Sequence, residues 1–207
     1  MLKLYYGPGS CAQASHIALE EAGADYQAVR IDLAAGDQRK PEYLKINPKG
    51  RVPALVTERG ILTETPAILA FIAQTHPKAK LAPLDDPYAF ARLQAFNSYL
   101  CSTVHPAHAH RVRGARWADD PAAIAELKRK APEVVMDCFS LIEREMFAGP
   151  WAMGEAYTVA DPYLFTLCTW WEGDSVDPKR VPKLADHRKR MQDRPAVARA
   201  LKAEGLQ

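Results

Sequence analysis

Asn47-Pro48-Lys49-Gly50-Arg51-Val52-Pro53-Ala54-Leu55 sets the frame for everything around it. The Asn-Pro and Gly residues turn the chain, and an apolar run starts at Val52 with a proline where only a strand's first position accepts one. Downstream, Val52 to Val56 reads as a strand, Glu58-Arg59-Gly60 as a hairpin turn and Ile61-Leu62 as its return. A helix follows from near Glu64, with Ala67, Ile68, Phe71 and Ile72 on its apolar face. Upstream, a short helical turn ends at Asn47, behind a polar loop from Ala34 to Lys40. Val29, Ile31 and Leu33 alternate with Arg30 and Asp32 as a strand does. Leu2 to Tyr6 is a buried strand, Gly7-Pro8-Gly9 a turn, and Ser10 the N-cap of a helix carrying Ala14, Ile17, Ala18 and Ala22 to a stop at Gly23. The order is β-α-β-α-β-β-α, a compact α/β unit over residues 1–76.

Beyond it the pattern changes. Residues 77–87 hold Pro77, Pro83 and Pro87 around Asp85-Asp86 and read as a linker, and residues 88–207 are helical throughout. Phe90, Leu93, Phe96, Leu100 and Val104 mark one long helix; Ile124, Leu127, Ala131, Val134 and Val135 mark the next, with a bend at Pro132. Thr158-Val159-Ala160-Asp161 opens a further helix as a short-armed capping box, the hydroxyl accepting from the third amide and the carboxylate reaching back to the Thr158 amide. Tyr163 to Trp171 is apolar almost all round, so this helix belongs at the centre, with Trp170 and Trp171 as core residues. Two short helices flank Arg194-Pro195.

Composition excludes several classes. A net charge of +2 supplies no field for nucleic acid or an anionic membrane. Apolar runs such as Ala67 to Ala73 are too short to span a bilayer, and no signal peptide is visible. The four cysteines, Cys11, Cys101, Cys138 and Cys168, lie far apart, which is neither a disulfide framework nor a zinc ribbon, so a cytoplasmic protein is expected. His105 and His108 stand three apart, but no carboxylate or cysteine completes a metal set, and no metal is expected. The run His105, His108, His110, Arg111, Arg113, Arg116 reads either as a solvated helix end or as a cationic rim on a cleft.

Three places in the first unit carry chemistry. Ser10 and Cys11 sit where a strand meets a helix N-terminus, whose free amides and dipole favour a thiolate; Tyr5 could offer its hydroxyl to the same point. The plainer reading is a small buried cysteine and a core tyrosine. If the bond before Pro53 is cis, the N–H and C=O of Val52 face outward and an extended peptide can add like an extra strand; otherwise Pro53 is an ordinary trans proline. At Glu64-Thr65 a ligand carboxylate would meet the Thr65 amide and hydroxyl, and Glu64 would pair with an ammonium, unless both are ordinary first-turn residues.

Together with Tyr5-Tyr6-Gly7-Pro8-Gly9-Ser10-Cys11, Leu62-Thr63-Glu64-Thr65-Pro66-Ala67-Ile68, Ser102-Thr103-Val104-His105 and Ala203-Glu204-Gly205-Leu206, these motifs resemble the bacterial cytosolic glutathione transferases, nearest the beta class. The resemblance spans nearly the whole chain. It implies a thioredoxin-like first domain with a cis bond before Pro53, an all-α second domain and a homodimer that conjugates glutathione, its cosubstrate, to small apolar electrophiles. By position, Cys11 and His105 match residues near the thiol, Val52 the peptide-pairing residue, and Glu64 and Thr65 the γ-glutamyl contacts. An asparagine expected on the long helix falls at Ser98 by register, with Asn97 one residue off. Ala12 replaces a frequent serine, Pro106 a frequent lysine, and Gly36 a loop lysine that holds the glycine carboxylate, a task left to Arg39 or Lys40. Two rival activities remain open: a thiol-disulfide transferase or peroxidase acting through Cys11, and a ligand-binding or interaction module without catalysis.

Overall fold

The computed structural model describes residues 1–206. A four-stranded sheet comprises β1 (Leu2–Tyr6), β2 (Tyr26–Arg30), β3 (Ala54–Thr57) and β4 (Gly60–Thr63), in the order β2-β1-β3-β4. β1 and β2 run parallel; β3 is antiparallel to both β1 and β4. Between these strands lie α1 (Ala12–Ala22) and the one-turn α2 (Pro41–Leu44), and after them α3 (Thr65–Thr75). This is the α/β order read from the sequence.

Two strand boundaries move. The alternation through Leu33 predicts a longer second strand, yet β2 ends at Arg30: the Ile31 amide makes a last bond to Tyr6 O at 2.7 Å, and β1 then turns away. Leu33 instead covers Gly7, where a Cβ would stand 2.6 Å from Leu33 Cδ1, so only glycine lets that loop close over the turn. At the other boundary β3 starts at Ala54, after Pro53, which has no N–H to give a ladder, and the Val52–Pro53 peptide is cis as the resemblance implies.

The helical half contains α4 (Pro87–Tyr99), α5 (His105–Arg113), α6 (Pro121–Leu141), α7 (Ala160–Cys168), α8 (Trp171–Asp174), α9 (Pro182–Gln192) and α10 (Pro195–Glu204). Asp86 and Asp120 cap α4 and α6 by accepting from the first free amides. The long helix predicted from Phe90 to Val104 is interrupted. A π-turn over Leu100–Val104 joins α4 to α5, just before Pro106, whose missing N–H removes a regular helical bond.

α1 explains how the halves join. Ala12 to Leu19 are all buried, which no two-layer sandwich would require. One side of α1 packs on α3; the other meets α7 and α10. The core is accordingly continuous, running from Leu4 and Ile68 through Phe96 to Leu164 and Trp171. The capping turn at Thr158 lies inside this core. Asp161 is fully buried, accepts the Thr158 amide and the Ala152 amide at 2.7 Å each, and faces His187 Nε2 at 3.0 Å. The Thr158 hydroxyl accepts from Ala160 rather than from the third amide of the turn. Among the described residues no helix is long and apolar enough to cross a membrane.

Candidate functional site

The C-terminal end of β1, the N-terminus of α1, the chain before β3 and the start of α3 meet α5 and Trp170 across a cleft of about 310 Å³. Ser10, Cys11, Val52, Pro53, Glu64 and Thr65 form its sheet-side wall, and Cys101, His105, His108, Arg113, Arg116 and Trp170 line the opposite one. Six of the residues singled out on the first unit therefore converge, together with His105.

The turn that carries Cys11 is held by the other half of the molecule. Gly9 N donates to the buried Glu204 carboxylate at 2.9 Å, and Gly9 O accepts from Trp170 Nε1 at 2.9 Å. Glu204 also faces His16 Nδ1 at 2.9 Å, so the end of α10 is tied to α1 as well. Ser10 takes no part in presenting a free hydroxyl: its Oγ donates to Gly7 O at 2.7 Å and accepts from Ala12 N at 3.3 Å. Cys11, not Ser10, occupies the N-cap position, without a side-chain cap bond.

Cys11 departs from the expectation of a stabilised thiolate. Its thiol donates to Val52 O at 3.5 Å, and burial pushes its pKa up to about 11, outweighing the Thr65 hydroxyl and the Arg113 charge, which favour the anion. Cys11 is only partly covered and borders the cleft, yet the helix terminus alone does not ionise it.

Glu64 is the backbone outlier of the wall. It sits at φ 73° between β4 and α3, a conformation that costs a non-glycine residue roughly 1–3 kcal/mol and persists where surrounding structure dictates it. Its carboxylate pairs with Lys49 Nζ at 2.5 Å, which also donates to Thr63 Oγ1 at 2.6 Å. Thr65 beside it is buried at the first turn of α3, where free amides face the cleft.

On the helical wall, His105 is held neutral. Burial first, then His108, Arg113, Arg51 and Arg116, bring its pKa down to about 4. His108 faces the buried Asp174 through Nδ1 at 2.7 Å, and Arg111 Nε donates to the same carboxylate at 2.6 Å. His108 also stacks on Trp170, with ring centroids 4.2 Å apart.

Several expectations need correction. Tyr5 does not line the cleft; its ring packs edge-on against Tyr43 at 5.8 Å. Asn97 is fully buried on α4, with both side-chain amide atoms unpartnered, Ser98 is exposed, and neither lines the cleft. Trp171 is core as expected, but Trp170 is part of the cleft wall. Cys101 and Tyr163 were missed; Cys101, His105 and His108 share one helical face at i, i+4 and i+7, a spacing that could have flagged Cys101.

Comparison with known proteins bears on this arrangement. Residues 1–74 match the family described as glutathione S-transferase, N-terminal domain. The chain is 32% identical to glutathione S-transferase GstA of Escherichia coli O157:H7, across 99% of this chain and 100% of that one. A glutathione transferase homologue from Sulfitobacter, solved with bound glutathione, superposes with a TM-score of 0.95 at 45% identity, covering 100% of this chain and 99% of that one. A beta-class glutathione S-transferase from Sphingomonas chungbukensis gives 0.87 at 37% identity, over 99% and 100%. A whole-length match in sequence and in structure, on a chain whose own cleft gathers the same stations, leaves one assignment: the chain belongs to the glutathione S-transferase family.

Proposed function

We propose that this protein binds glutathione along the sheet-side wall and transfers its sulfur to small, mostly apolar electrophiles. The observation that carries the reading is the convergence of Cys11, Val52, Glu64, Thr65 and His105 on one cleft from four separate parts of the chain. Each fits a different part of the tripeptide. Glu64, held at positive φ with its carboxylate half-exposed, suits the α-ammonium of the γ-glutamyl group. The Thr65 amide and hydroxyl suit its carboxylate, and Val52 ahead of β3 offers edge backbone to the cysteinyl residue. The glycine carboxylate falls to Arg39, since Lys40 is engaged with Asp37 at 2.7 Å.

Glutathione's thiol is weakly nucleophilic when protonated, so the site must favour its thiolate. Cys11, kept protonated, serves as a neutral S–H donor to that anion once its single hydrogen turns from Val52 O, which frees that carbonyl for the ligand backbone, and the N-terminus of α1 adds its dipole. Neutral His105 can exchange a proton at the same end of the cleft. The thiolate then forms a C–S bond to the electrophile while the leaving group departs with its electron pair. The raised Cys11 pKa weighs against the disulfide-exchange alternative, in which Cys11 itself must ionise.

The same reading takes residues 1–76 as the glutathione domain, 77–87 as linker and 88–207 as the helical domain, in a cytoplasmic homodimer. Free rather than paired cysteines support the compartment. The test is conjugation of glutathione to 1-chloro-2,4-dinitrobenzene, followed by absorbance. Turnover dependent on both substrates is the expected result; none above the uncatalysed rate rejects the transferase reading.

A further inference from the structure

The helical wall of the cleft holds more positive charge than glutathione can use. Arg113 ends α5, and Arg116 lies in the 3-10 turn that follows; both line the cleft, as does Arg51 across from them. Arg39 is close enough to Arg116 for its charge to reach it. None of the four forms an ion pair with a carboxylate among the described residues. Their neighbour Arg111, by contrast, is neutralised by Asp174. Mutual repulsion of this kind costs stability, and burial together with the other three arginines lowers the Arg116 pKa accordingly.

Resting on the glutathione reading above, the charges can be counted. Glutathione brings one ammonium, which Glu64 takes, two carboxylates and, when activated, a thiolate, which the Cys11 thiol and the N-terminus of α1 hold. Thr65 and the first turn of α3 take one; Arg39 with Arg51 on the sheet side suffices for the other. Arg113 and Arg116 remain, on the wall that faces the second substrate. Beside them stands Trp117, about half exposed, lining the cleft with its ring fixed edge-on against His110 at 4.4 Å. Pro106 and Ala109 supply the apolar floor. A flat apolar surface next to two unmatched guanidinium groups fits one kind of molecule best, an aromatic ring bearing a carboxylate.

We propose that the electrophile taken by this enzyme is an anionic aromatic compound, its ring against Trp117 and its carboxylate on Arg113 and Arg116. The reaction balances without any further reagent. The glutathione thiolate attacks the ring carbon that carries a halide and forms the C–S bond. The halide leaves with the electron pair of the broken bond, and the thiol proton passes to solvent.

The experiment compares two aryl chlorides that react by the same step, neutral 1-chloro-2,4-dinitrobenzene and anionic 4-chloro-3-nitrobenzoate. Each is measured with wild type and with the Arg113→Gln/Arg116→Gln double variant. The variant is expected to lose about tenfold more in kcat/KM on the benzoate than on the neutral chloride, chiefly through KM, the neutral chloride reporting whatever the same two charges do to His105 and Cys11. Raising salt to about 0.5 M should shrink the wild-type advantage on the benzoate alone, because exposed guanidinium charges are screened. Equal losses on both chlorides, or none on the benzoate, would overturn the proposal and leave the transferase reading standing. Turnover of neither chloride by wild type would overturn both.

Discussion

The two walls of the cleft are built on different principles. The sheet-side wall is mostly backbone: the cis Val52–Pro53 peptide, the positive φ of Glu64, and free amides at the first turns of α1 and α3. The wall formed by α5 and the turn after it is mostly side chains, two histidines, two exposed arginines and two tryptophans. Backbone groups can recognise only something of fixed covalent shape, and a tripeptide is that. Side chains on a helix face can change one by one without disturbing the fold. On the proposed function, the difference separates a part of the site that the fold dictates from a part free to set the choice of second substrate. The walls are not independent, however, because Trp170 and Glu204 hold the Gly9 peptide from the helical side.

That dependence gives the largest expected effect. Asp161→Ala removes a buried carboxylate that serves two amides and His187, leaving donors unpaired in the core that both walls share. The cost should be about 4 kcal/mol in urea unfolding, with both walls lost in one transition. A small cost, or a helical half that melts separately, would break the idea of a shared core.

Next comes the state of Cys11. With its pKa pushed up to about 11, the thiol should react with iodoacetamide near pH 8 about a hundredfold more slowly than a free cysteine. Site-resolved mass spectrometry measures this, and rapid labelling of Cys11 would reinstate the disulfide-exchange activity. Correspondingly, Cys11→Ala should keep conjugation within about tenfold of wild type, since one neutral donor to the sulfur is lost and not the nucleophile. Complete loss would make Cys11 the reacting group.

The smallest effect concerns His105. Burial and neighbouring positive charge disfavour its charged form, so protonation waits until about pH 4 instead of the usual 6.5. The unfolded chain therefore takes the proton first, and His105 withdraws stability only as pH falls through that interval. Its ring resonances should stay flat between about pH 5 and 8. A midpoint near the ordinary histidine value would show that the wall is wetter than described.

How far the sequence could be read follows the same division. Local signals placed Cys11, Val52, Glu64 and Thr65, because turn chemistry and helix starts are written in adjacent residues. Thr158 to Asp161 was legible for the same reason. Tyr5 was misplaced since period-two alternation decides a side's identity, and one strand of five residues does not say which side faces the cleft. Asn97 and Ser98 were misjudged because the π-turn between α4 and α5 shifts the helix face, and nothing short of the structure reveals that shift. Trp170 and Glu204 lie more than 150 residues from the turn they hold, as separations of 161 and 195 show, and no local pattern encodes such a contact.

The most direct test of the account is titration calorimetry with glutathione on wild type and on Glu64→Ala. Wild type should bind at one site per chain with a sub-millimolar Kd, and Glu64→Ala should raise that Kd about tenfold by leaving the ligand ammonium unpaired. No heat of binding up to millimolar glutathione, or equal affinity of the two proteins, would contradict the placement of glutathione along Val52, Glu64 and Thr65.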